Sequence, residues 1–243
     1  MSMRWSVLAL GLMLLPTTAD ALTFRQDEFV CPIDGKAFTA TVMTSGTSFG
    51  AYFDGQLIGP IMSPGPLLTC PGNGFIIDRP DGYSEAELAK LRPFVASDEY
   101  RGWVAKESQY WRLARQRAFL GEDPDTIAYA LLQATWEAGG EQYDRYAAEA
   151  VDALQQQARR DTAQGKDAVG LRMLVGELQR RLGRFDDARA TFAGLRADPA
   201  FPGEGDDRAK TYRRQVLEAQ LQLIEARDSG RARLDDDGKI ARF

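Results

Sequence analysis

Gly176-Glu177-Leu178-Gln179-Arg180-Arg181-Leu182-Gly183-Arg184-Phe185-Asp186-Asp187-Ala188, followed by Phe192, Leu195 and Pro199, reads as the end of one amphipathic helix, a glycine turn and the start of a second. Leu171, Leu174, Val175, Leu178 and Leu182 make one apolar stripe at helical spacing, and Phe185, Ala188, Phe192 and Leu195 make another beyond Gly183. So short a connection forces an antiparallel hairpin, and each hairpin leaves a side that only another hairpin covers. The same grammar extends upstream. Tyr143, Tyr146, Ala147, Ala150, Val151 and Leu154 recur at helical spacing on a single face. Ser84-Glu85-Ala86-Glu87 is a capping box, in which the Ser84 hydroxyl accepts from the Glu87 amide and the Glu87 carboxylate accepts from the Ser84 amide. Ser97 and Asp98 open the next segment, expected to carry Trp103, Tyr110 and Trp111 as far as Gly121. Asp123-Pro124 opens a helix through Trp136 that Gly139-Gly140 closes, and Gly165, Gly183, Gly203 to Gly205 and Gly230 are later stops. Residues 83–230 are therefore expected to form a stack of helix pairs.

The stretch around Gly183 resembles one tetratricopeptide repeat. Gly176 and Ala188 fall where such repeats place small residues for close helix crossing, Gly183 and Phe185 occupy the turn, and Phe192 lies on the second helix's core face. A shift of 41 residues puts Ala147, Val151 and Leu154 under Ala188, Phe192 and Leu195, while Gly183 meets Gln142, so the neighbouring copy is degenerate. The resemblance implies a concave protein- or peptide-binding groove lined by Met173, Glu177, Arg180 and Arg181, against the alternative of a solvated helical face.

Residues 22–82 follow a different pattern, rich in Gly, Pro, Thr and Phe, with short alternating runs at Lys36 to Met43 and Phe49 to Leu57. Asp54-Gly55 supplies a hairpin turn between Ala51-Tyr52-Phe53 and Gln56-Leu57-Ile58. Residues 231–243 read as a solvated tail, because Asp235-Asp236-Asp237-Gly238 lacks the alternating acidic positions and distal Glu of a calcium loop. The fold class expected is α+β, mostly α: a small N-terminal β module followed by the helical stack.

Composition removes several function classes. The 243 residues contain no histidine, which excludes imidazole general-base catalysis and His-containing metal motifs. A net charge of -5 lacks the basic surplus that binding a phosphate backbone requires, so nucleic acid is not an expected partner. Arg4, the apolar run Trp5 to Leu15, and Ala19-Asp20-Ala21 have the form of a secretory signal peptide over residues 1–21, cleaved after Ala21. That run covers about half of the roughly 20 residues a bilayer-crossing helix needs, and no later stretch is apolar enough to span. The mature chain from Leu22 is expected in the periplasm or outside the cell, without an integral membrane segment, in an oxidising compartment.

The two cysteines sit in matching loops, Cys31-Pro32-Ile33-Asp34-Gly35 and Cys70-Pro71-Gly72-Asn73-Gly74. Both follow Cys-Pro-x-(Asp or Asn)-Gly, where a zinc-ribbon knuckle has Cys-Pro-x-Cys-Gly. These loops, with Tyr110-Trp111-Arg112-Leu113, Ala134-Thr135-Trp136 and the turn at Gly183, resemble the bacterial domain-of-unknown-function family DUF2225 from about Phe29 to about Ile224. That family pairs such knuckles with tetratricopeptide-like helices and has no assigned activity. The resemblance implies a degenerate ribbon whose loops face each other across a lost metal. Asp34 and Asn73 replace the second thiols, so no cofactor is expected. Cys31 and Cys70, brought together by that geometry in an oxidising compartment, are expected to form a disulfide. The competing reading is a metal held by Cys31, Cys70, Asp34 and Asn73.

Other candidates have structural alternatives. Asp78 and Asp81 could serve as an acid and base pair, yet polar turn residues before a helix explain them equally. Trp103, Tyr110, Trp111 and Trp136 could line a ligand pocket or simply a core. The sequence therefore points to an exported interaction or scaffold protein with a protein or peptide partner. The alternatives are an envelope enzyme built on Asp34, Asp78 or Asp81, and a small-ligand binder.

Overall fold

A computed structural model describes residues 22–243, so the expected signal peptide lies outside the described residues. The chain opens with an antiparallel ribbon, β1 (Leu22–Val30) and β2 (Ala37–Gly46), paired from Leu22↔Gly46 to Val30↔Ala37 with a register shift between Thr23 and Phe24. Irregular chain follows to Tyr83, braced by isolated bridges Ala51↔Leu57 and Thr69↔Ile76. The run Phe49 to Leu57 reverses at the expected place, but through a three-residue loop centred on Phe53-Asp54 rather than a two-residue Asp54-Gly55 turn: Gly55 N–H donates to the Tyr52 carbonyl and Tyr52 N–H to the Gln56 carbonyl, both at 2.9 Å, and the arms meet in a single bridge rather than strands.

Eight helices follow among the described residues: α1 (Glu85–Ala96), α2 (Asp98–Lys106), α3 (Gln109–Leu120), α4 (Pro124–Glu137), α5 (Gly140–Ala163), α6 (Val169–Arg181), α7 (Phe185–Ala197) and α8 (Asp207–Glu225). The mostly helical α+β architecture is as the sequence indicates. The Ser84–Glu87 capping box forms as expected, with Ser84 N–H donating to Glu87 Oε2 at 2.8 Å and Glu87 N–H donating to Ser84 Oγ at 3.3 Å. The segment expected to run unbroken from Ser97 to Gly121 divides at Glu107-Ser108, because the Ser108 hydroxyl accepts from Trp111 N–H and starts a fresh helix.

From α3 to α7 each helix packs on the next in sequence, and α8 packs on α7 and α6. The α6–α7 crossing depends on Gly176, where a Cβ would lie 2.6 Å from the Phe192 ring. The stripe on α5 is buried in full, from Tyr143 through Leu154, against Trp111, Leu131, Leu132, Val175 and Leu178. A second core holds the β module to α1 and α2 through Phe75, Leu88, Leu91, Val95 and Tyr100. A third joins α6, α7 and α8 around Phe192 and Leu217.

Residues 231–243 correct the expectation of a solvated tail. They form a hairpin, β3 (Ala232–Leu234) and β4 (Ile240–Arg242), with Ala232 buried and its carbonyl accepting from Phe53 N–H at 3.0 Å. The acidic run makes its turn: Asp235 Oδ1 accepts from Asp237 N–H at 3.0 Å and Lys239 N–H at 2.8 Å.

Candidate functional site

The two cysteine loops are conformational twins. Cys31 N–H donates to the Lys36 carbonyl at 2.9 Å and Gly35 N–H to the Cys31 carbonyl at 2.8 Å; in the second loop Cys70 N–H donates to Phe75 O at 2.8 Å and Gly74 N–H to Cys70 O at 2.9 Å. Gly35 and Gly74 hold φ of 70° and 74°, the left-handed region in which a side chain is strained. Asp34 Oδ1 accepts from Lys36 N–H at 3.2 Å, as Asn73 Oδ1 accepts from Phe75 N–H at 3.0 Å. Between the loops Cys31 and Cys70 are disulfide-bonded with Cα atoms 5.5 Å apart. Asn73 Nδ2 lies 3.5 Å from both Asp34 Oδ2 and Cys31 Sγ. Positions 31, 34, 70 and 73 therefore converge around a covalent bond. The Gly74 carbonyl accepts from Arg112 Nη1 at 2.6 Å and Tyr100 Oη at 3.0 Å, fastening this unit to the helices. Burial pushes the Tyr100 hydroxyl up to about 12, so it remains a donor. Among the described residues no cluster of three or more metal-ligating side chains is found.

The four residues expected to line a concave groove do not line one. Glu177 and Arg180 are 1% and 0% exposed. Arg180 Nη2 donates to both Glu177 carboxylate oxygens at 2.9 and 2.8 Å and to the Gly230 carbonyl at 3.0 Å, while Nη1 donates to the Asp228 carbonyl. Gln220 of α8 completes the network, accepting from Arg180 Nε at 2.9 Å and donating to Glu177 Oε2 at 2.7 Å. Burial raises the Glu177 carboxyl, against the pull of Arg180. Arg181 donates to Asp54 Oδ2 of the β-module turn at 2.7 Å and lies over the Tyr143 ring. Met173 packs half-buried on the third core. The face assigned by sequence to a partner is thus occupied by the chain's own turn at Asp54, by α8 and by residues 228–230.

Of the remaining candidates, all but Asp81 are held by the chain's own contacts. Asp78 accepts from Tyr83 Oη at 2.7 Å and pairs with Arg117 at 3.0 Å, whereas Asp81 is exposed. Trp103 and Trp111 meet edge to face at 5.4 Å between centroids, and Trp111 stacks on Tyr146 at 5.9 Å; these are core contacts. Tyr110 and Trp136 join the same core.

An open site lies on another face. The C-terminal half of α5, the start of α6 and the C-terminal half of α7 enclose a groove of about 520 Å³. Ala158, Ala163, Ala190 and Gly194 keep its walls low, Val175 lies in its floor, and no carboxylate is among its lining residues. Arg172 is held by an ion pair with Asp198, and Arg159 stands exposed on the wall with no ion pair among the described residues. Thr191 Oγ1 donates to Gln179 Oε1 at 2.7 Å, fixing α7 against α6 beside it. Sequence reasoning passed over this groove because alanine, glycine and threonine on a helix read as solvated. The signal is the spacing of small residues at Ala158 and Thr162, and at Ala190 and Gly194, one turn apart on facing helices.

No family model, curated protein or solved structure matches the chain.

Proposed function

We propose that this is an exported interaction protein in which a tetratricopeptide-like helical stack docks a protein or peptide segment in the α5–α7 groove. The observation that carries this reading is the groove itself, a volume in the range of ligand sites, lined by small side chains, on a face the chain leaves open. The N-terminal unit is, on this reading, a degenerate knuckle pair of the DUF2225 type, in which a disulfide stands in for zinc and braces the module. The matching hydrogen bonds and glycine conformations of the two loops support that descent. Export to the periplasm or beyond is supported by the disulfide, which persists in oxidising compartments. Among the described residues no helix is long and apolar enough to cross a membrane.

The test is site-specific photocrosslinking in the native envelope. Benzophenone side chains at Thr162 and Ala190 are expected to give one common adduct, absent when the probe sits at Lys210 on α8 and lost when Gly194→Trp fills the groove. Adducts of equal yield at all three positions, or adducts that survive the filling substitution, would refute the reading. N-terminal sequencing of the mature protein is expected to begin at Leu22.

A further inference from the structure

We infer that the occupant of the α5–α7 groove is an acidic–apolar peptide segment, one that sets a carboxylate on Arg159 and small or branched apolar side chains against Ala158, Val175 and Gly194. This rests on the reading of the groove as a docking site and adds the chemistry of the partner.

Charge carries the argument. The chain as a whole is acidic, with 35 Asp and Glu against 30 Lys and Arg, yet the lining holds two arginines and no carboxylate. One of the two, Arg172, is already neutralised by Asp198, whose carboxyl is held low first by the Ala200 N–H and then by Arg172. Arg159 is left as an uncompensated cation beside an apolar floor. A guanidinium presents a planar fork of donors that matches a carboxylate in two parallel bonds. A basic segment would meet the same arginine as a repulsion and find no acid to answer it.

Shape limits the apolar part. Gly194 has ample room, since a Cβ there would meet only Arg172 Nη2 at 3.7 Å, so the wall's low profile leaves usable space beside α7. A volume of about 520 Å³ is on the scale of a few side chains and smaller than a docked whole helix requires. The segment is therefore short, with its anchor residues close to the acidic one.

The experiment is selection of a displayed random dodecapeptide library on the mature, disulfide-closed protein, with counter-selection on Gly194→Trp. Groove-dependent peptides are expected to be enriched in Asp or Glu beside Leu, Ile, Val or Phe. A synthetic copy of the leading peptide is expected to lose at least tenfold in affinity on Arg159→Glu by fluorescence anisotropy, and to weaken as salt is raised. Arg159 is exposed and Ala190→Glu offers a second, independent block on an exposed position, so circular dichroism of both variants separates lost binding from lost folding. Groove-dependent peptides that are neutral or basic, or that ignore Arg159→Glu, would overturn the acidic occupant and leave the docking reading standing. A library that yields no groove-dependent peptide would overturn both.

Discussion

Removing the Cys31–Cys70 bond is expected to cost a large share of the stability of this protein. The bond joins residues 39 apart in sequence, and closing a loop of that length lowers the entropy of the unfolded chain by an amount worth about 4 kcal/mol at 25 °C in the chain-entropy model. Domains typically hold ~5–15 kcal/mol in total, so the bond decides whether the β module stays folded. The module has little regular structure of its own: among the described residues β1 pairs with β2 alone, and its buried side chains are few, chiefly Phe75, which meets Leu88 and Leu91, and Ile76 in the first core. Both cysteines are 1% exposed, so freed thiols would also sit in a site shaped for the bond. For a chain of this size 4 kcal/mol corresponds to a fall in melting temperature of roughly 8–16 °C. The assay is scanning calorimetry of the protein before and after reduction and alkylation, and of Cys31→Ala with Cys70→Ala. A single transition displaced downward, or a new low-temperature transition for the β module, is expected. Quantitative alkylation of both cysteines in unreduced, denatured protein would refute the bond, and a shift below 2 °C on reduction would refute its role.

Three further outcomes follow from the geometry. Asp54→Ala is expected to cost about 3–5 kcal/mol in urea unfolding, because it strands Arg181 in a nearly closed site, and Arg181→Leu in the same background is expected to restore most of the loss; a single substitution costing under 1 kcal/mol would refute this. Glu87 is held down to about 2, from an ordinary 4.5, chiefly by the Ser84 hydroxyl and then by Arg79. A depressed carboxyl contributes stability that is full above 4.5 and lost as pH falls towards 2, so the melting gap between the parent and Glu87→Gln, measured at pH 6, is expected to close over that window. Asp34→Cys with Asn73→Cys, purified reduced, is expected to bind one zinc ion per chain and to melt higher with the metal than without, because the twin loops already bring all four positions together; absence of bound metal would refute the convergence.

Much of this fold was legible because its signals are local. Ser84, Ser108 and Asp123 cap helices through side-chain oxygens bonded to amides two or three residues on, and such geometry is written in a few consecutive positions. Ser108 was nonetheless missed, since Trp103, Tyr110 and Trp111 continue an apolar pattern straight across the break at Glu107. The pairing of Cys31 with Cys70 is what the resemblance of their loops to zinc-ribbon knuckles implies in an oxidising compartment. The hairpin at Asp235 to Gly238 is not legible in the same way, because its strands are three residues each and their ties to the rest of the chain, Phe53 N–H on the Ala232 carbonyl and Arg242 on Asp228, come from distant positions.

The site was misread for a physical reason that Glu177 and Arg180 make plain. A charged pair three residues apart on a helix reads as a solvated or partner-facing surface, since an isolated buried charge is prohibitively expensive. Here the expense is offset by completeness: all of the Arg180 donor nitrogens have partners, on Glu177, Gln220, Asp228 and Gly230, supplied by residues 40 to 50 positions away as well as by its own helix turn. No periodicity encodes such distant acceptors. The same network draws residues 228–230 and α8 across the face where a concave groove was expected, and Asp54 on Arg181 closes the rest. With that face taken by the chain itself, the docking site we propose is instead the α5–α7 groove, where Arg159 has no ion pair among the described residues.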